Sequence, residues 1–515
     1  MAHLLLLAAL LLLFCPLLLF AGVALYIYSK RRAYARLRDE KSFRNGSATA
    51  KTVTIGVFHP YANGGGGGER VVYCALLALV THFKKIATDS KTTERCALQL
   101  VLYAGDDGLS AAELVTRAAE EFNLPDLKKH RVDLQVTLVP LLSREILDPG
   151  LYPSFTLFWQ SVAHIRLALE ALEASSQRGL YPHVWIDTTG CPFSYVVANL
   201  CYACTVVTYT HYPMISTDMI AKVQQRDAGF NNDAAIASSS SRSTAKYIYY
   251  RLFAGAYSLV GKYCTDVAMV NSTWTYSHIK QLWGKPPTIV YPPCGAMREY
   301  MDFSIENREP LALSISQFRP EKNQLLQLQA FQVLLTEYAE QMEARHRDFR
   351  LVLLGSCRNA DDEARVDSLK QHAVELGIAD RVDFVVNASF PELKQYLAKS
   401  SIGLHTMYNE HFGISIVEMM AAGILVVAND SGGPRADIVK PGTGFLASTA
   451  DDYADKMLTL VEETPANSRE MRASARKSSQ RFSDEEFGVQ FLAAMAGVLE
   501  PLVSHGSDKS AKSAL

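Results

Sequence analysis

The chain of 515 residues has almost no net charge, because 51 lysines and arginines oppose 53 aspartates and glutamates. General binding to nucleic acid needs a basic surface, so this balance argues against a nucleic-acid partner. Cysteine is also scarce, and its nine residues are scattered and odd in number. That pattern excludes a disulfide framework and fits a reducing, cytosolic compartment.

Residues 4–28 contain no charged side chain. At about 1.5 Å per residue, a helix of this length crosses a hydrocarbon core of roughly 30 Å. A cleaved signal peptide has basic residues before its apolar core, whereas here the basic residues come after it, within residues 30–44. By the positive-inside rule, we predict a single N-terminal membrane anchor with the body of the protein in the cytosol.

The rest of the chain alternates strand-like and helical patterns in two series that are separated near residues 295–308. This alternation predicts α/β domains with parallel sheets. We predict a first domain over residues 51–295 and a second over residues 305–484. We predict an amphipathic helix over residues 485–503 that is followed by a polar, disordered tail over residues 504–515.

Two glutamates eight positions apart, Glu410 and Glu418, bracket a Phe-Gly turn that follows an apolar strand and opens a helix near Gly413. The first amides of a helix favour an anion. The free amides could bind a diphosphate, and the carboxylate on either side could bind hydroxyl groups. Such a site suits a nucleotide-sugar. This segment alone leaves open the alternative of two solvated glutamates beside an ordinary helix start.

Two other turns strengthen the case for a ligand site. Arg319 and Lys322 follow an apolar strand and precede a helix, and the carboxyl ends of strands are where open α/β sheets bind ligands. Arginine offers phosphate a planar fork and lysine a point charge. Residues 431–434, Ser-Gly-Gly-Pro, form a tight turn where the backbone can approach a ligand.

Together, these three motifs resemble those of the retaining glycosyltransferases of family 4, over roughly residues 53–499. The resemblance implies an α/β protein with the GT-B fold, in which two Rossmann-like domains face a cleft and the last helix packs back on the first domain. Residues 58–71 and 209–213, with the anchor, narrow the resemblance to the membrane-bound α-1,2-mannosyltransferases of dolichol-linked oligosaccharide synthesis.

The resemblance also implies substrates and partners. The donor would be GDP-mannose and the acceptor dolichol-diphosphate-linked Man3GlcNAc2, which receives its fourth and fifth mannoses on the cytosolic face of the endoplasmic reticulum (ER). The ER membrane would be a partner, and other mannosyltransferases of the same pathway are candidate partners. No Asp-x-Asp pair is placed to hold a metal at the cleft, so we expect no cofactor and metal-independent transfer.

Individual residues receive roles from the same resemblance. Glu410 would orient the mannose hydroxyls, Glu418 the ribose hydroxyls, and His211 would be a further catalytic residue. The expected donor-binding residues are Arg319, Lys322, Phe412, Gly413, Ile414, Ser415 and Glu418. The residues alone leave His211 open between a structural role and a contact with sugar or phosphate.

A glycine loop follows the first predicted strand and opens a helix, and it comprises Gly64, Gly65, Gly66, Gly67 and Gly68. It lacks the Lys-Ser/Thr that ends a Walker loop. Five glycines at such a turn cost considerable chain entropy, so we favour a mobile loop at the cleft over a casual linker.

Residues 216–246 are predicted to form a long loop in the first domain. The aromatic-rich residues 247–257 after it predict either a face against the membrane or packing in the core. Three functions remain open: the mannosyltransferase, another GT-B enzyme such as a transferase for a different nucleotide-sugar or an epimerase, and an inactive scaffold. The anchor weighs against an epimerase, and the intact charged motifs against a scaffold.

Overall fold

The computed structural model describes residues 2–42, 50–88, 95–105, 108–129, 136–227, 232–295 and 297–503. The predicted tail, residues 504–515, lies outside the described residues. The strands are β1 Ala50–Phe58, β2 Arg95–Ala104, β3 Val136–Pro140, β4 Val184–Asp187, β5 Thr205–Thr210, β6 Val267–Val270, β7 Thr288–Ile289, β8 Glu309–Ile315, β9 Arg350–Gly355, β10 Val382–Val386, β11 Ser400–His405, β12 Leu425–Asn429 and β13 Gly444–Ala447.

The helices alternate with these strands along most of the chain. They are α1 Ala2–Ser42, α2 Gly67–Thr88, α3 Ala111–Glu121, α4 Pro125–Lys129, α5 Thr156–Gln177, α6 Phe193–Val196, α7 Thr217–Gln225, α8 Ala234–Ala237, α9 Ser240–Tyr263, α10 Thr273–Trp283, α11 Met297–Met301, α12 Gln324–Glu337, α13 Ala339–Arg345, α14 Ala360–Glu375, α15 Phe390–Lys399, α16 Ile414–Ala421, α17 Ala450–Glu462, α18 Pro465–Ser479 and α19 Asp484–Val503.

Two parallel sheets form the body of the molecule. The first has seven strands in the order β3-β2-β1-β4-β5-β6-β7, and the second has six in the order β10-β9-β8-β11-β12-β13. The central strand β1 is buried on both faces, since Val53, Ile55 and Val57 are buried on one face and Thr54, Gly56 and Phe58 on the other. Such burial explains its β-branched residues 52–55, because helices cover both faces of a parallel sheet. The carboxyl ends of the central strands lead into the candidate site residues.

The prediction of a loop over residues 216–246 is wrong. This stretch contains α7, α8 and the start of α9. Its serines suggested a loop, but some of them stabilise helix ends: Ser216 Oγ accepts from the Met219 amide at 3.1 Å, and Ser243 Oγ donates to the Ile236 carbonyl at 2.9 Å. Serine favours such capping positions as strongly as it favours loops.

The aromatic residues within 247–257 pack mainly in the core, which was one of the two predicted alternatives. Tyr250, Phe253 and Tyr257 are buried, and the Tyr257 ring lies 5.9 Å from that of Trp283. Other residues of α9 remain exposed.

The C-terminal helix α19 packs against α2 of the first domain. It buries one stripe at a four-residue spacing, formed by Phe487, Phe491, Met495 and Leu499. A spacing of four keeps these side chains on one face of the helix.

The N-terminal helix α1 continues past the predicted anchor as far as Ser42. Its last turns pack on the first domain: Lys30 Nζ lies 3.3 Å from Glu173 Oε1 of α5, and Ser42 Oγ lies 3.0 Å from His183 Nε2. Tyr34 is buried between them along the helix. The predicted anchor therefore joins the body without a flexible linker.

Two other helical stretches, Gly67–Thr88 and Pro465–Val503, are long and apolar enough to cross a membrane. Both include residues that pack in the first domain, through most of one face of α2 and through the buried stripe of α19. The apolar residues of these two stretches are therefore explained by packing within the first domain.

Candidate active site

Glu410 lies in the loop between β11 and α16, and the fold brings two cationic or polar partners to it. The Lys322 ammonium donates to Glu410 Oε2 at 2.6 Å, and His405 Nε2 lies 3.2 Å from the same oxygen. Lys322 comes from the turn after β8, whereas His405 ends β11, its neighbour in the sheet. Because β8 and β11 are adjacent and parallel, the residues that follow or end them, Lys322 and His405, lie beside the same carboxylate, that of Glu410.

These partners keep Glu410 ionised. Burial alone would raise the pKa of Glu410, but the hydrogen bond from His405 and the charge of Lys322 outweigh it and hold the pKa well below its ordinary value. Ion pairs that are withdrawn from water are stable only with such additional hydrogen bonds. Glu410 is therefore a fixed anion that can accept hydrogen bonds from hydroxyl groups.

Glu418 has the opposite electrostatic setting. Burial raises its pKa to about 7, and the charge of Arg70 from α2 opposes part of this shift. Among the described residues, no side chain donates a hydrogen bond to the Glu418 carboxylate. Tyr300 and Cys294 are further titratable neighbours, and burial raises the pKa of both, with the charge of Glu418 adding to the rise. The half-buried carboxylate is thus free to bind an incoming hydroxyl group.

The turn between the two glutamates opens α16 as predicted. Gly413 has φ of 115°, a conformation that favours glycine, and it precedes the first helical residues Ile414 and Ser415. The first amides of a helix lack intrahelical acceptors, so they can bind an anion. The Phe412 side chain, however, is buried 5.2 Å from the Phe482 ring, so only its backbone can face a ligand.

The Gly-Gly-Pro turn packs closely against the backbone of the loop that carries Glu410. The Gly433 amide donates to the Glu410 carbonyl at 2.7 Å. A Cβ atom on Gly433 would lie 2.6 Å from Phe412 Cα, and one on Gly432, which has φ of 56°, would collide with the Glu410 carbonyl. We expected the backbone of this turn to approach a ligand. At these two glycines it packs against the loop that carries Glu410, and this contact fixes the position of Glu410.

Arg319 lies at the same edge of the second sheet. Its Nη1 is 3.6 Å from Glu321 Oε1, while its buried Nε has no partner among the described residues. A buried guanidinium nitrogen without an acceptor costs free energy, so this group suits an anionic ligand such as phosphate.

The glycine loop faces this site from the first domain. A Cβ atom on Gly67 would lie 2.5 Å from Ile414 Cδ1, so the loop touches the start of α16. Glu69 closes the loop by accepting from the Gly66 amide at 2.8 Å, and its other oxygen lies 3.2 Å from His59 Nε2. The two domains therefore meet where the glycine loop and α16 begin.

His211 follows β5 and lies beside the start of α2, where the glycine loop ends. Its Nε2 is buried without a hydrogen-bond partner, and a Cβ atom on Gly68 would lie 3.6 Å from it. Burial, with a smaller contribution from nearby His59, lowers the pKa of His211 to about 4. A neutral imidazole with an unsatisfied nitrogen is suited to exchange a hydrogen bond with a bound hydroxyl or phosphate.

An aromatic cluster closes the other side of the domain interface. His411 stacks on Tyr212 with 4.2 Å between ring centroids and lies 4.9 Å from Trp274. Nearby, Asn409 Nδ2 donates to Asp218 Oδ2 at 3.0 Å. The loop that carries Glu410 is thus held from both domains.

Comparisons with known proteins agree with this architecture. Residues 52–283 match the family described as ALG11 mannosyltransferase N-terminus, and residues 298–496 match Glycosyl transferases group 1. The GDP-Man:Man(3)GlcNAc(2)-PP-Dol alpha-1,2-mannosyltransferase of Mus musculus is 42% identical over 472 residues, which are 90% of each chain. The Homo sapiens protein of that name is 42% identical over 86% of each chain. The chain belongs to this mannosyltransferase family.

Solved structures place the mannosyltransferase in the GT-B fold. A glycosyltransferase from Rickettsia africae has a TM-score of 0.54 at 13% identity and covers 88% of this chain and 100% of its own. The Anabaena protein HepE in complex with UDP has a TM-score of 0.56 at 16% identity, covering 86% and 100%. The predicted fold class and the resemblance to glycosyltransferases are both confirmed.

Several site residues of the mannosyltransferase escaped prediction. His405 had a usable signal, because it ends an apolar strand at the same sheet edge as Lys322. His59 likewise ends the first strand run beside the glycine loop. Arg70 and His411 lie within the motif segments but received no role of their own, since their importance depends on contacts between the domains.

The Lys322–Glu410 pair allows a test of the site's electrostatics. Lys322→Met leaves a buried carboxylate with His405 and the His411 amide but without its cation, so it should destabilise the protein by about 3 kcal/mol. Combining it with Glu410→Gln should restore part of this, giving a coupling of at least about 1 kcal/mol in a double-mutant cycle. Urea unfolding in detergent micelles measures these free energies; strictly additive effects would show that the pair is not coupled.

The same pair has a pH signature. In the folded protein the pKa of Glu410 lies below its ordinary value of 4.5, so the ionised carboxylate stabilises the fold above pH 4.5. This stability is lost as the pH falls through the folded-state pKa. In Lys322→Met the loss should begin at a higher pH.

Proposed function

We propose that the protein transfers mannose from GDP-mannose, with retention, to dolichol-diphosphate-linked Man3GlcNAc2. It adds the fourth and fifth mannoses in α-1,2 linkage. The names of the relatives support the donor and the acceptor. The observation that carries the proposal is the pairing of Lys322 with Glu410 beside the opening of α16, because it places a cation, a fixed anion and free amides within one small site.

Each group has a proposed task. Arg319, Lys322 and the first amides of α16 stabilise the departing nucleotide diphosphate, whose negative charge grows as the bond to mannose breaks. Glu410 accepts hydrogen bonds from mannose hydroxyls, and Glu418 from the ribose. Since protein cations and amides supply the positive charge, transfer needs no metal and should continue in a strong chelator.

His211 and the glycine loop are proposed to meet the other side of the reacting sugar. His211 is neutral at physiological pH because its pKa is depressed, so it acts as a hydrogen-bonding group and not as a fixed cation. The loop amides and the opening of α2 lie next to it, where an anionic or hydroxyl-bearing ligand can bind.

The proposed location is the ER membrane, with α1 as a single anchor and both domains in the cytosol. The charge-free residues 4–28 lie within one continuous helix, and the basic residues that follow them set the orientation. The membrane confines the enzyme and a lipid-borne acceptor to the same surface, which raises their effective concentration.

A donor panel tests the proposal directly. Purified full-length protein is incubated with GDP-mannose, GDP-fucose, UDP-glucose or UDP-N-acetylglucosamine and a lipid-linked Man3GlcNAc2 acceptor. We expect transfer only from GDP-mannose, with products that carry one and then two further mannoses and are sensitive to an α-1,2-mannosidase. Transfer from a uridine donor alone would replace the proposal with the alternative GT-B transferase, and no transfer from any donor would favour the scaffold.

Charge removal tests the diphosphate contacts. Arg319→Ala and Lys322→Ala should each lower turnover with GDP-mannose by an amount equivalent to about 2–4 kcal/mol, as for loss of a preorganised donor to a developing anion. Lys370→Ala is the matched control, since Lys370 is an exposed cation on α14 of the same domain. Turnover within a few-fold of wild type in both site variants would contradict the assignment.

The pKa of Glu418 predicts a pH-dependent donor affinity. An ionised carboxylate accepts stronger hydrogen bonds from ribose, so affinity for GDP-mannose should rise about tenfold between about pH 6 and about pH 8 as a group of pKa near 7 loses its proton. GDP-mannose is a suitable probe because its diphosphate does not titrate in this range. Calorimetric titration at several pH values measures the affinity.

Glu418→Gln should remove this pH dependence. The variant also separates Glu418 from Asp187, whose pKa burial raises to about 6 in the first domain. Arg70, Tyr300 and Cys294 are unchanged in it. Equal pH profiles in wild type and variant would exclude Glu418 as the titrating group.

A further inference from the structure

Helix α9 has two apolar faces. One is the buried face described above. The other is exposed and follows the helical period through Ile248, Leu252, Leu259 and Tyr263, with Leu252 71% exposed. Burying a leucine is worth about 1.5–3 kcal/mol, so a row of exposed large side chains at helical spacing calls for a partner.

The start of α5 extends this surface. Phe155, Phe158, Trp159 and Val162 are all exposed and occupy neighbouring positions on the first two turns. The two helices touch here, because the Phe158 amide donates to the Tyr249 hydroxyl at 3.0 Å. We call the exposed side chains of Phe155, Phe158, Trp159, Val162, Ile248 and Leu252, with Leu259 and Tyr263, the apolar face.

The charged side chains on the helical segments that carry the apolar face are of one sign. Helix α9 carries four cationic residues and neither aspartate nor glutamate. Residues 156–165 of α5 carry no Asp, Glu, Lys or Arg. Aromatic and aliphatic side chains with flanking cations match the interface of a bilayer, where apolar groups enter the acyl region and cations meet anionic headgroups.

The apolar face lies on the side from which α1 arrives. Lys30 contacts Glu173, and a Cβ atom on Gly179 would lie 3.7 Å from Lys41 Nζ, so α1 and the end of α5 run in the same direction. Followed backwards, α1 toward residue 4 therefore extends to the side on which α5 begins. The start of α5 is where Phe158 and Trp159 are exposed.

A chain of contacts connects the apolar face to the cleft. Trp159 stacks on Tyr152 with 6.3 Å between centroids, and the Tyr152 hydroxyl donates to the Ile146 carbonyl at 2.9 Å. In the same segment the Arg144 guanidinium lies 5.1 Å from the Tyr61 ring centroid. The Tyr61 carbonyl accepts from the Gly64 amide of the glycine loop. A surface held at the bilayer would thus lead directly to the loop.

We propose that the apolar face is a membrane-docking surface that enters the interface of the bilayer in which α1 is anchored. This rests on the membrane location given under the proposed function. Docking brings the mouth of the cleft to the headgroup layer, where the diphosphate of a lipid-linked acceptor lies.

Tryptophan quenching tests the contact directly. The full-length protein has four tryptophans and none lies in α1; Trp185 and Trp283 are buried, and Trp274 stacks in the domain interface. In vesicles of phosphatidylcholine and phosphatidylinositol that contain brominated lipid, we expect quenching in wild type and loss of most of it in Trp159→Phe. Equal emission with and without brominated lipid would overturn the docking surface.

Flotation of the same vesicles separates this inference from the proposed location. Protein that floats but is not quenched retains the anchor and overturns only the docking surface. Protein that does not float overturns both. Cross-linking between copies through Cys introduced at Leu252, with Trp159 unquenched, would assign the apolar face to a second copy of the chain and also overturn the proposal.

A charge substitution tests the consequence for catalysis. Leu252→Asp should lower transfer several-fold on acceptor embedded in vesicles and leave transfer on a short-chain, soluble acceptor near the wild-type rate. Val374→Asp is the matched control, because Val374 is 67% exposed on α14 of the second domain. Equal losses of Leu252→Asp on both acceptors would show an effect on the active site and contradict docking.

Discussion

One buried cation joins the parts of this enzyme that must meet. Arg70 of α2 donates to both oxygens of Asp484, at 2.9 and 2.7 Å, and to the Phe122 carbonyl. Its charge also acts on Glu418 across the cleft. Removing Asp484 would leave this guanidinium buried with a single carbonyl, at a cost of about 3–5 kcal/mol. Helix α2, the C-terminal helix and the second glutamate are therefore linked by the same side chain.

The two glutamates of the motif differ because of what surrounds them. Glu410 has a lysine and a histidine within hydrogen-bonding distance and stays ionised, whereas Glu418 is half-buried with only a distant cation. Electrostatic preorganisation of this kind requires groups that are in place before the substrate arrives. Lys322 meets that condition, since Glu410 already holds it at the position proposed for the diphosphate.

Much of the fold was predictable because strands such as β1 and β12 are short apolar runs that end in glycine or polar turns. The donor motif was predictable because its order, from strand to turn to helix, is local. The pairing of Lys322 with Glu410 was not, because 88 positions separate them and only the sheet order makes them neighbours. The contact made at Gly432 was not predictable for the same reason, since the atoms it approaches belong to another loop.

The serines after Ser216 show a different limit on what the sequence can predict. Their composition favours loops and helix caps equally, and tertiary packing decides between the two. Phe412 was likewise assigned to the donor by its position in the motif, although its side chain packs on Phe482.

The rigid junction between α1 and the body has a mechanical consequence. A flexible tether would leave the catalytic domains free to tumble in any direction above the bilayer. With α1 anchored in the bilayer as proposed, a helix that runs unbroken from residue 2 to residue 42, with Lys30 and Ser42 bound to the first domain, limits tilting of the body relative to its anchor and leaves mainly rotation about the membrane normal. A lipid acceptor is confined in the same way. Their encounter then becomes a search in a plane with one relative angle to match, and less rotational entropy is lost when the acceptor binds.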